Sequence, residues 1–540
     1  MKSKYIFFAV SLFAALSANA QETYENAKLA GEDLNGTARY VGMGGAMEAL
    51  GADISTIGSN PAGIGLFRHS NVSLSAGLLM QSDGKEFSNG KKTNLSFDQI
   101  GGVYTTRTGQ KSFLNFGFNY HKSKNFDYIL NAAGSLNGSS QNKQSYIKGM
   151  LGDQKVGGFN VGKNKDGQNI GYVDAKSSDV AYTWSQIDYL YWNSLIPGSN
   201  GLYNYEKATG YTLDRAHTGY IGNYDFAVSG NLNDRVYLGL TFGMKDVNYK
   251  GYSEYRENLN NAGGVLVRDE RKVTGSGFDI TVGVIVRPVA ESPFRIGAYV
   301  KSPTWYDLTT SNVTRLVYAS GTSSQEKGVP NSPNSYDFKM WTPWKFGFSL
   351  GHTIGNNIAL GATYEYENYA NINSRVNNGG YYDYYYDQYY ESSIPDKNMN
   401  AHTKEVLKGV STLKLGVEYK PVSNVALRAG YNYVSAMYVN NAQKDPGLAS
   451  LGTSYSSTTD YTNWGEINRF TLGVGYQVKK FNIDLAYQYS AQKGSFAPFS
   501  NVRDISIPSG ATIVSESNIA SNTDVKNNRS QLLLTLGYRF

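Results

Sequence analysis

The stretch "QLLLTLGYRF", Gln531–Phe540, decides the fold, because it alternates without a slip: Leu532, Leu534, Leu536, Tyr538 and Phe540 share one face, and Gln531, Leu533, Thr535, Gly537 and Arg539 share the other. A period of two is the mark of a strand with one apolar face. "FNIDLAYQYS" from Phe481 repeats the pattern, and so do "LKLGVEYK" from Leu413, "VALRAGYNY" from Val425, "FTLGVGYQV" from Phe470, "FDITVGVIV" from Phe278, "FRIGAYV" from Phe294 and "LNFGFNY" from Leu114. One face is aliphatic and aromatic; the other is Gly, small polar or charged. In a soluble sandwich the polar face meets water outside, whereas in a barrel it lines a lumen.

Two features favour the barrel. Aromatics gather at strand ends, as in "YNYVSAMY" and "DLAYQY", where a bilayer has its interfaces. The connections also alternate. "LNDR" near Asn233, "PVAES" from Pro288, "HTIGN" from His352, "KPVSN" from Lys420 and "VKK" from Val478 read as tight turns. Polar segments at 122–220, 251–271, 309–335, 372–404, 439–464 and 494–526 read as long loops. Counting runs from Asn71 onward predicts an all-β transmembrane antiparallel barrel of about 14 strands, an even number.

Composition agrees. With 59 Gly, 44 Tyr, 23 Phe and 17% charged residues in 540, the chain suits aromatic strands joined by polar connections. A mean hydropathy of -0.42 does not argue for solubility, since alternation hides the apolar face in an average. The absence of Cys removes disulfides, thiolate metal sites and Cys nucleophiles together. A net charge of +6 without a basic run excludes nucleic acid as a favoured partner.

Lys2 and Lys4, the apolar run Tyr5–Leu16 and the small residues Ser17-Ala18-Asn19-Ala20 read as a signal peptide over 1–20, with Gln21 as the mature start. No later run is apolar for the roughly 18 to 20 residues that a spanning helix needs. Residues 21–69 then precede the first strand. They are Gly-rich, with Met43, Met47, Leu50, Ile54, Ile57 and Ile64 as apolar anchors, and are expected to pack in the lumen as a plug, leaving 70–540 as barrel with long extracellular loops.

Within that segment, "GSNPAGIG" (Gly58–Gly65) places a turn at Asn60-Pro61-Ala62-Gly63; Pro61 fixes φ, and Gly63 and Gly65 allow close backbone approach. Spacing alone fits an ordinary turn before the first strand equally well. The surrounding residues add a resemblance: "ARYVGMGGAMEALGADISTIGSNPAGIGLFRHSNVSLSAG" (Ala38–Gly77) is similar to the N-terminal hatch of the FadL family, outer-membrane transporters of long-chain fatty acids and aromatic hydrocarbons. "VTGSGFDITVGVIVRPVAESPFRIGAYVKSPTWYDL" (Val273–Leu308) and "DFKMWTPWKFGFSLGHTIGNNIALGATYEYENYA" (Asp337–Ala370) resemble the same family. The resemblance implies a barrel closed by the hatch, with Asn60, Pro61, Ala62 and Gly63 as hatch motif. It implies passive uptake of hydrophobic small molecules from outside, through a pocket in the upper barrel, with lateral exit between strands. It further implies an outer-membrane location of Gram-negative type, contact with outer-membrane lipid and lipopolysaccharide, assembly through the terminal Phe540, a monomeric state, and neither enzymatic activity nor a cofactor.

Other signals are weak. "GMGGAM" from Gly42 lacks the last Gly of a dinucleotide fingerprint, and "GKEFSNGKKT" from Gly84 misses phosphate-loop spacing. The histidines at 69, 121, 217, 352 and 402 make no metal spacing. An outer-membrane hemin receptor is the alternative reading and needs a His or Tyr facing the pocket; a barrel lipase would need a Ser and His on one wall, and no G-x-S-x-G elbow is present. Trp184, Ile187, Leu190 and Tyr191 suit an amphipathic helix on the barrel mouth, and "YYDYYYDQYY" (Tyr381–Tyr390) reads as an outer loop. Luminal Asp279, Arg295, Lys414, Glu418, Arg428 and Asp484 are expected to stiffen the wall as ion pairs, with one cation able to hold a carboxylate. The ligand-binding residues are not assignable from the sequence.

Overall fold

The alternating C-terminal stretch lies in a strand, Thr523–Arg539, that pairs on one side with Phe481–Ala497 and on the other with Asn71–Gln81, the first strand of the chain. That last pairing, running from Asn71↔Arg539 to Gln81↔Arg529, closes the sheet. The structure, a computed structural model, describes residues 22–151, 159–173, 184–198, 201–260, 263–320, 323–328, 333–445, 447, 448, 450, 457–509 and 512–540. The signal peptide read at 1–20 lies outside the described residues.

In chain order the strands are β1 (Asn71–Gln81), β2 (Thr93–Arg107), β3 (Phe113–Asn125, resuming at Tyr128–Ser135), β4 (Ala208–Leu232), β5 (Val236–Leu259), β6 (Gly263–Val286) and β7 (Arg295–Lys301, resuming at Trp305–Ser320). They continue as β8 (Ser323–Gly328, Asn334–Trp341 and Lys345–Ile354), β9 (Ile358–Asn368 and Asn373–Asp383), β10 (Gln388–Pro395 and Gly409–Val422), β11 (Val425–Val434), β12 (Tyr461–Val478), β13 (Phe481–Ala497) and β14 (Thr523–Arg539). Each pairs antiparallel with its sequence neighbours, giving a closed 14-stranded barrel.

Where the bilayer sits is written on the outer face. Along β5 the outward residues are Leu238, Leu240, Phe242 and Met244, and then Asp246 and Lys250; along β6 Val282, Ile280 and Phe278 give way to Ser276 and Lys272. The apolar band is therefore a few alternating positions deep, as a hydrocarbon layer about 25 Å tall requires. Between these positions Thr241, Lys245, Asp279 and Thr281 are buried, pointing inward. A soluble sandwich has the opposite arrangement.

The tight turns expected from the sequence all lie at one end. Asn233 and Asp234, between β4 and β5, both take the left-handed backbone (φ 55° and 57°) that a two-residue hairpin demands and that Asn and Asp tolerate. At the other end much of the segments read as loops at 251–271, 309–335, 372–404 and 494–526 is strand: β5 and β6 run 24 residues each and meet across a short connection. At about 3.3 Å per residue that is roughly 80 Å, far beyond the 9 to 11 residues a span needs. Above the membrane both faces of these strands are free to be polar, so the apolar alternation stops although the ladder continues. The Tyr-rich stretch is likewise a hairpin tip, with Tyr381 opposite Tyr390 and Tyr382 opposite Tyr389. The outer mouth is filled by two helices, α3 (Gln141–Leu151) and α4 (Gln186–Ser194), numbered after two in the plug. Ile187, Leu190 and Tyr191 are fully enclosed among Tyr211, Leu316 and Phe496, so the amphipathic segment forms the helix expected and turns its apolar side into the mouth.

The lumen holds the N-terminal segment: α1 (Thr23–Ala30), α2 (Ala38–Gly42) and single 3-10 turns at Ile54–Gly58 and Pro61–Leu66. Met43, Met47, Leu50, Ile54, Ile57 and Ile64 are all buried. Its backbone lies directly on the wall where luminal positions are Gly. A Cβ on Gly361 would overlap the Ala46 carbonyl, one on Gly416 the Met43 carbonyl, and one on Gly239 the Pro61 backbone. The Gly positions on the lumen-facing side of the strands are the seat of the plug.

A membrane barrel makes a prediction that a sandwich does not. Leu240→Arg, on the lipid side at mid-band, should cost about 2 to 4 kcal/mol of folding free energy in bilayers, measured by denaturant unfolding in vesicles, while Lys250→Ala above the band should leave it unchanged.

Candidate functional site: a cavity above the plug

Asn60 begins the second 3-10 turn. Its Oδ1 accepts from the Ala62 N–H (3.2 Å), and its Nδ2 donates to the Glu48 carbonyl (3.2 Å) and to the Val284 carbonyl of β6 (3.4 Å). Pro61 takes the first position, where no N–H is needed. Ala62 is enclosed by Tyr237 and Ile285, and the Gly63 carbonyl accepts from the Ala52 N–H (3.0 Å). A Cβ on Gly63 would overlap Thr56. The four motif residues thus form one turn that caps itself, ties the plug to itself and rests on β5 and β6.

Charge fixes the rest of the plug. Glu32 faces three lysines from three strands: Lys245 (3.1 Å), Lys301 (3.4 Å) and Lys345 (2.6 Å). Asp33 faces Lys124 (3.6 Å), Arg469 (3.7 Å) and Arg529 (3.6 Å). Glu48 meets Lys414 (2.9 Å), and Arg39 meets Glu418 (3.1 Å). Burial alone would raise the Glu32 and Asp33 carboxyls; the surrounding cations outweigh it and hold both well below the ordinary carboxylate range. The luminal charges named from the sequence belong to this lattice: Asp279 with Lys245 and Lys301, Lys414 with Glu365, Glu418 with Arg428, and Arg428 with Asp484. Arg295 instead donates to the Leu50 carbonyl (3.0 Å).

Above the plug, toward the long-strand end, lies a cavity of about 230 Å³. Its floor is α1, through Tyr24, Ala27 and Lys28; its walls include Phe126, Tyr128, His217, Tyr249, Tyr438 and Trp464. The rings contact one another: Tyr24 stacks on Tyr438 (5.1 Å), Phe126 meets Tyr249 edge-on (5.0 Å) and Tyr128 meets Trp464 edge-on (5.8 Å). Charges in the lining are mostly cancelled in place, Arg215 by Asp460 and Arg271 by Glu25 (2.6 Å each). Lys28 differs. Its ammonium donates to Tyr249 Oη (3.2 Å), lies 4.9 Å from that ring's centre, and faces no carboxylate among the described ion pairs.

The cavity touches a fault in the wall. The β2–β3 ladder ends at Gln99↔His121, although β2 continues to Thr93. Its register with β4 shifts between Lys122 and Lys124, and β3 then breaks at Phe126-Asp127 before pairing again at Tyr128↔His217. Gly219 opposite takes φ 110°, and its N–H and carbonyl bond to the Asp127 side chain and the Phe126 N–H. Lys124, Asn125, Phe126 and Tyr128 line the cavity. The site therefore lies beside a stretch of β2 that has lost its β3 partner.

The sequence placed the motif turn and the wall charges, but missed the cavity. Much of its wall comes from segments read as loops, 122–220, 251–271 and 439–464, while Tyr249, Tyr438, Ile467, Gln492, Asn527 and Arg529 lie outside them. Of the histidines only His217 lines it, and its Nδ1 is held by Tyr249 Oη (2.7 Å).

No protein-family model matches this sequence, and no curated protein sequence matches it. Solved structures do. The toluene transporter TbuX of Ralstonia pickettii is 12% identical, covering 94% of this chain and 99% of that one, with a TM-score of 0.46. A FadL homologue of Pseudomonas aeruginosa is 11% identical, covering 95% and 100%, with a TM-score of 0.47. The CymD monoaromatic hydrocarbon channel is 10% identical, covering 94% and 98%, with a TM-score of 0.45. The family suggested by the hatch residues is thus represented among the structural neighbours.

Plug docking should depend on pH in a definite direction. Glu32 and Asp33 are depressed in the folded plug, so their stabilisation is present above the ordinary carboxylate range, about 4, and is lost as pH falls below it. Single-channel recordings should show little conductance at pH 7 and rising, flickering conductance below about pH 4; Glu32→Gln should shift that onset upward.

Proposed function

We propose that this protein is a passive outer-membrane transporter of hydrophobic small molecules, long-chain fatty acids or related lipophiles. The observation that carries the reading is the ring-lined cavity seated on the plug and lined on one side by the broken β3. A lipophile gains by staying out of water, and an aromatic pocket beside a stretch where the β2–β3 ladder has ended would offer a route from outside to the hydrocarbon band without crossing a wet pore. The neutralised ion pairs keep the lining from repelling an apolar body, and Lys28 supplies a counter-charge for an acidic head. The Asn60-Pro61-Ala62-Gly63 turn serves as the anchor holding the plug while α1, further along, meets the ligand. The hemin reading has less behind it: among the groups lining the cavity His217 is engaged by Tyr249, Tyr24 donates to Asn463 and Tyr128 donates to the Lys526 carbonyl. Phe540, exposed at the turn end, suits recognition by barrel-assembly machinery.

The mature chain, incubated with oleate, an alkyl aromatic and hemin and read by native mass spectrometry, should retain oleate and the aromatic at one copy each. Lys28→Gln should lower oleate retention about tenfold, equivalent to about 1.4 kcal/mol, and spare the aromatic. Selective hemin retention would overturn the proposal.

The exit has its own test. The chain has no Cys, so a Cys pair replacing Phe97 of β2 and Tyr120 of β3, whose rings stack at 5.8 Å, can be joined selectively by a short bis-methanethiosulfonate cross-linker. Transfer of a fluorescent fatty acid into proteoliposome membranes should stop on cross-linking and return on reduction, with binding unchanged.

A further inference from the structure

The turn end of the barrel carries charge of one sign. Lys111 in the β2–β3 turn, Lys479 and Lys480 in the β12–β13 turn, and Arg539 beside the chain end are exposed, and among the described residues none of these four side chains has a hydrogen-bond or ion-pair partner. Arg235 and Arg287 add to them, and their guanidiniums donate only to main-chain carbonyls, Arg235 to those of Arg287 and Pro288 and Arg287 to those of Ala290 and Ser292. Their charge is left uncompensated. Facing acids are few: Asp234 is taken by Arg68, and Glu291 is exposed near Arg287.

The opposite end is built differently. There acids and bases interleave, Arg256 with Asp214 and Glu254, Arg315 with Glu326, and Lys339 with Asp307 and Glu391. The turn-end cations also adjoin the apolar band directly. Lys480 precedes the outward Phe481, Arg539 precedes Phe540, and Arg235 lies three residues from the outward Leu232 and from the outward Leu238. Cations on turns around a barrel, at the edge of its hydrocarbon band, lie at the level of lipid head groups, where long Lys and Arg stems can reach phosphate while their methylenes stay against the apolar edge.

We infer that this rim binds the phosphates of anionic glycerophospholipids in the leaflet facing the turn end, phosphatidylglycerol being the simplest such lipid. The inference rests on the membrane-barrel reading and not on the cargo. Each exposed cation near an anionic surface adds to the attraction, so several in a ring select an anionic annulus over a zwitterionic one and fix which end faces that leaflet.

The test uses the mature chain in detergent, titrated with phosphatidylglycerol and phosphatidylcholine of identical acyl chains and read by native mass spectrometry. Folding is followed separately by heat-modifiable migration, so a failure of the barrel reading would show as absence of a folded band. The wild type should retain several phosphatidylglycerol molecules, with at least fivefold preference. The variant K111Q/K479Q/K480Q/R539Q should fold and lose most of that preference, while K85Q/K91Q/K207Q/K250Q at the opposite end should keep it. Equal losses in both variants, an unchanged preference in the rim variant, or equal retention by wild type of purified lipid A lacking glycerophospholipid chemistry would overturn it. So would loss of a co-purifying acidic protein without loss of lipid preference.

Discussion

Every structural feature depends on one constraint, that a backbone N–H or C=O in hydrocarbon has no water to turn to. The ladder between β1 and β14 meets it by closing the sheet, so that no strand presents an open edge within the band. Closure at 14 strands creates the next problem. Around eight strands, side chains alone fill a barrel; a wider one leaves a lumen that is either a pore or must be filled. Here residues 22–69 fill it, and the luminal glycines let the plug backbone lie against the wall where larger residues would keep it off. Where a strand does break, as at Phe126-Asp127, the Phe126 N–H is taken up by the Gly219 carbonyl and the Gly219 N–H by the Asp127 side chain.

Filling a lumen with a polar segment brings charges into poor solvation, and the plug is tolerable because most of those charges meet a counterpart. Three lysines around Glu32 would be prohibitive alone; Asp279 and Glu367 complete the group, so that three cations face three anions. Buried pairs of this kind contribute little net stability against an apolar replacement, yet removing one partner is costly. They fix register. Glu32 and Asp33, adjacent in sequence, engage opposite sectors of the wall, β5, β7 and β8 on one side and β3, β12 and β14 on the other, which allows one placement of the segment joining α1 to α2.

How much of this was legible in the sequence follows from where the physics is local. The strands crossing the bilayer were readable because water, lipid and lumen force a period of two, as Leu532, Leu534 and Leu536 show. The motif turn was readable because Asn60 caps and Pro61 fixes φ within a few residues. Above the band the same strands lose the lipid that made them periodic, so the end of β5 from Gly251 and the start of β6 up to Arg271 read as a polar loop. Much of the cavity's wall comes from such extensions, and its rings are brought together only by barrel closure. Phe126 and Tyr249, more than a hundred residues apart in the chain, meet edge-on for that reason.

The position of the cavity then has a physical logic. Within the band the lumen is sealed by plug backbone on wall glycines, so no lipophile can pass straight through without displacing that contact. Above the band the long strands and the helices α3 and α4 keep bulk water away from the rings. The wall weakens at one level between these two, where the β2–β3 ladder stops and β3 breaks. Strain placed lower would expose unpaired backbone to lipid, and strain placed higher would open to water. The break at Phe126-Asp127 therefore falls where its backbone groups are met by Gly219 and Asp127 and where the Phe126 ring lines the cavity, with no unpaired edge left in hydrocarbon.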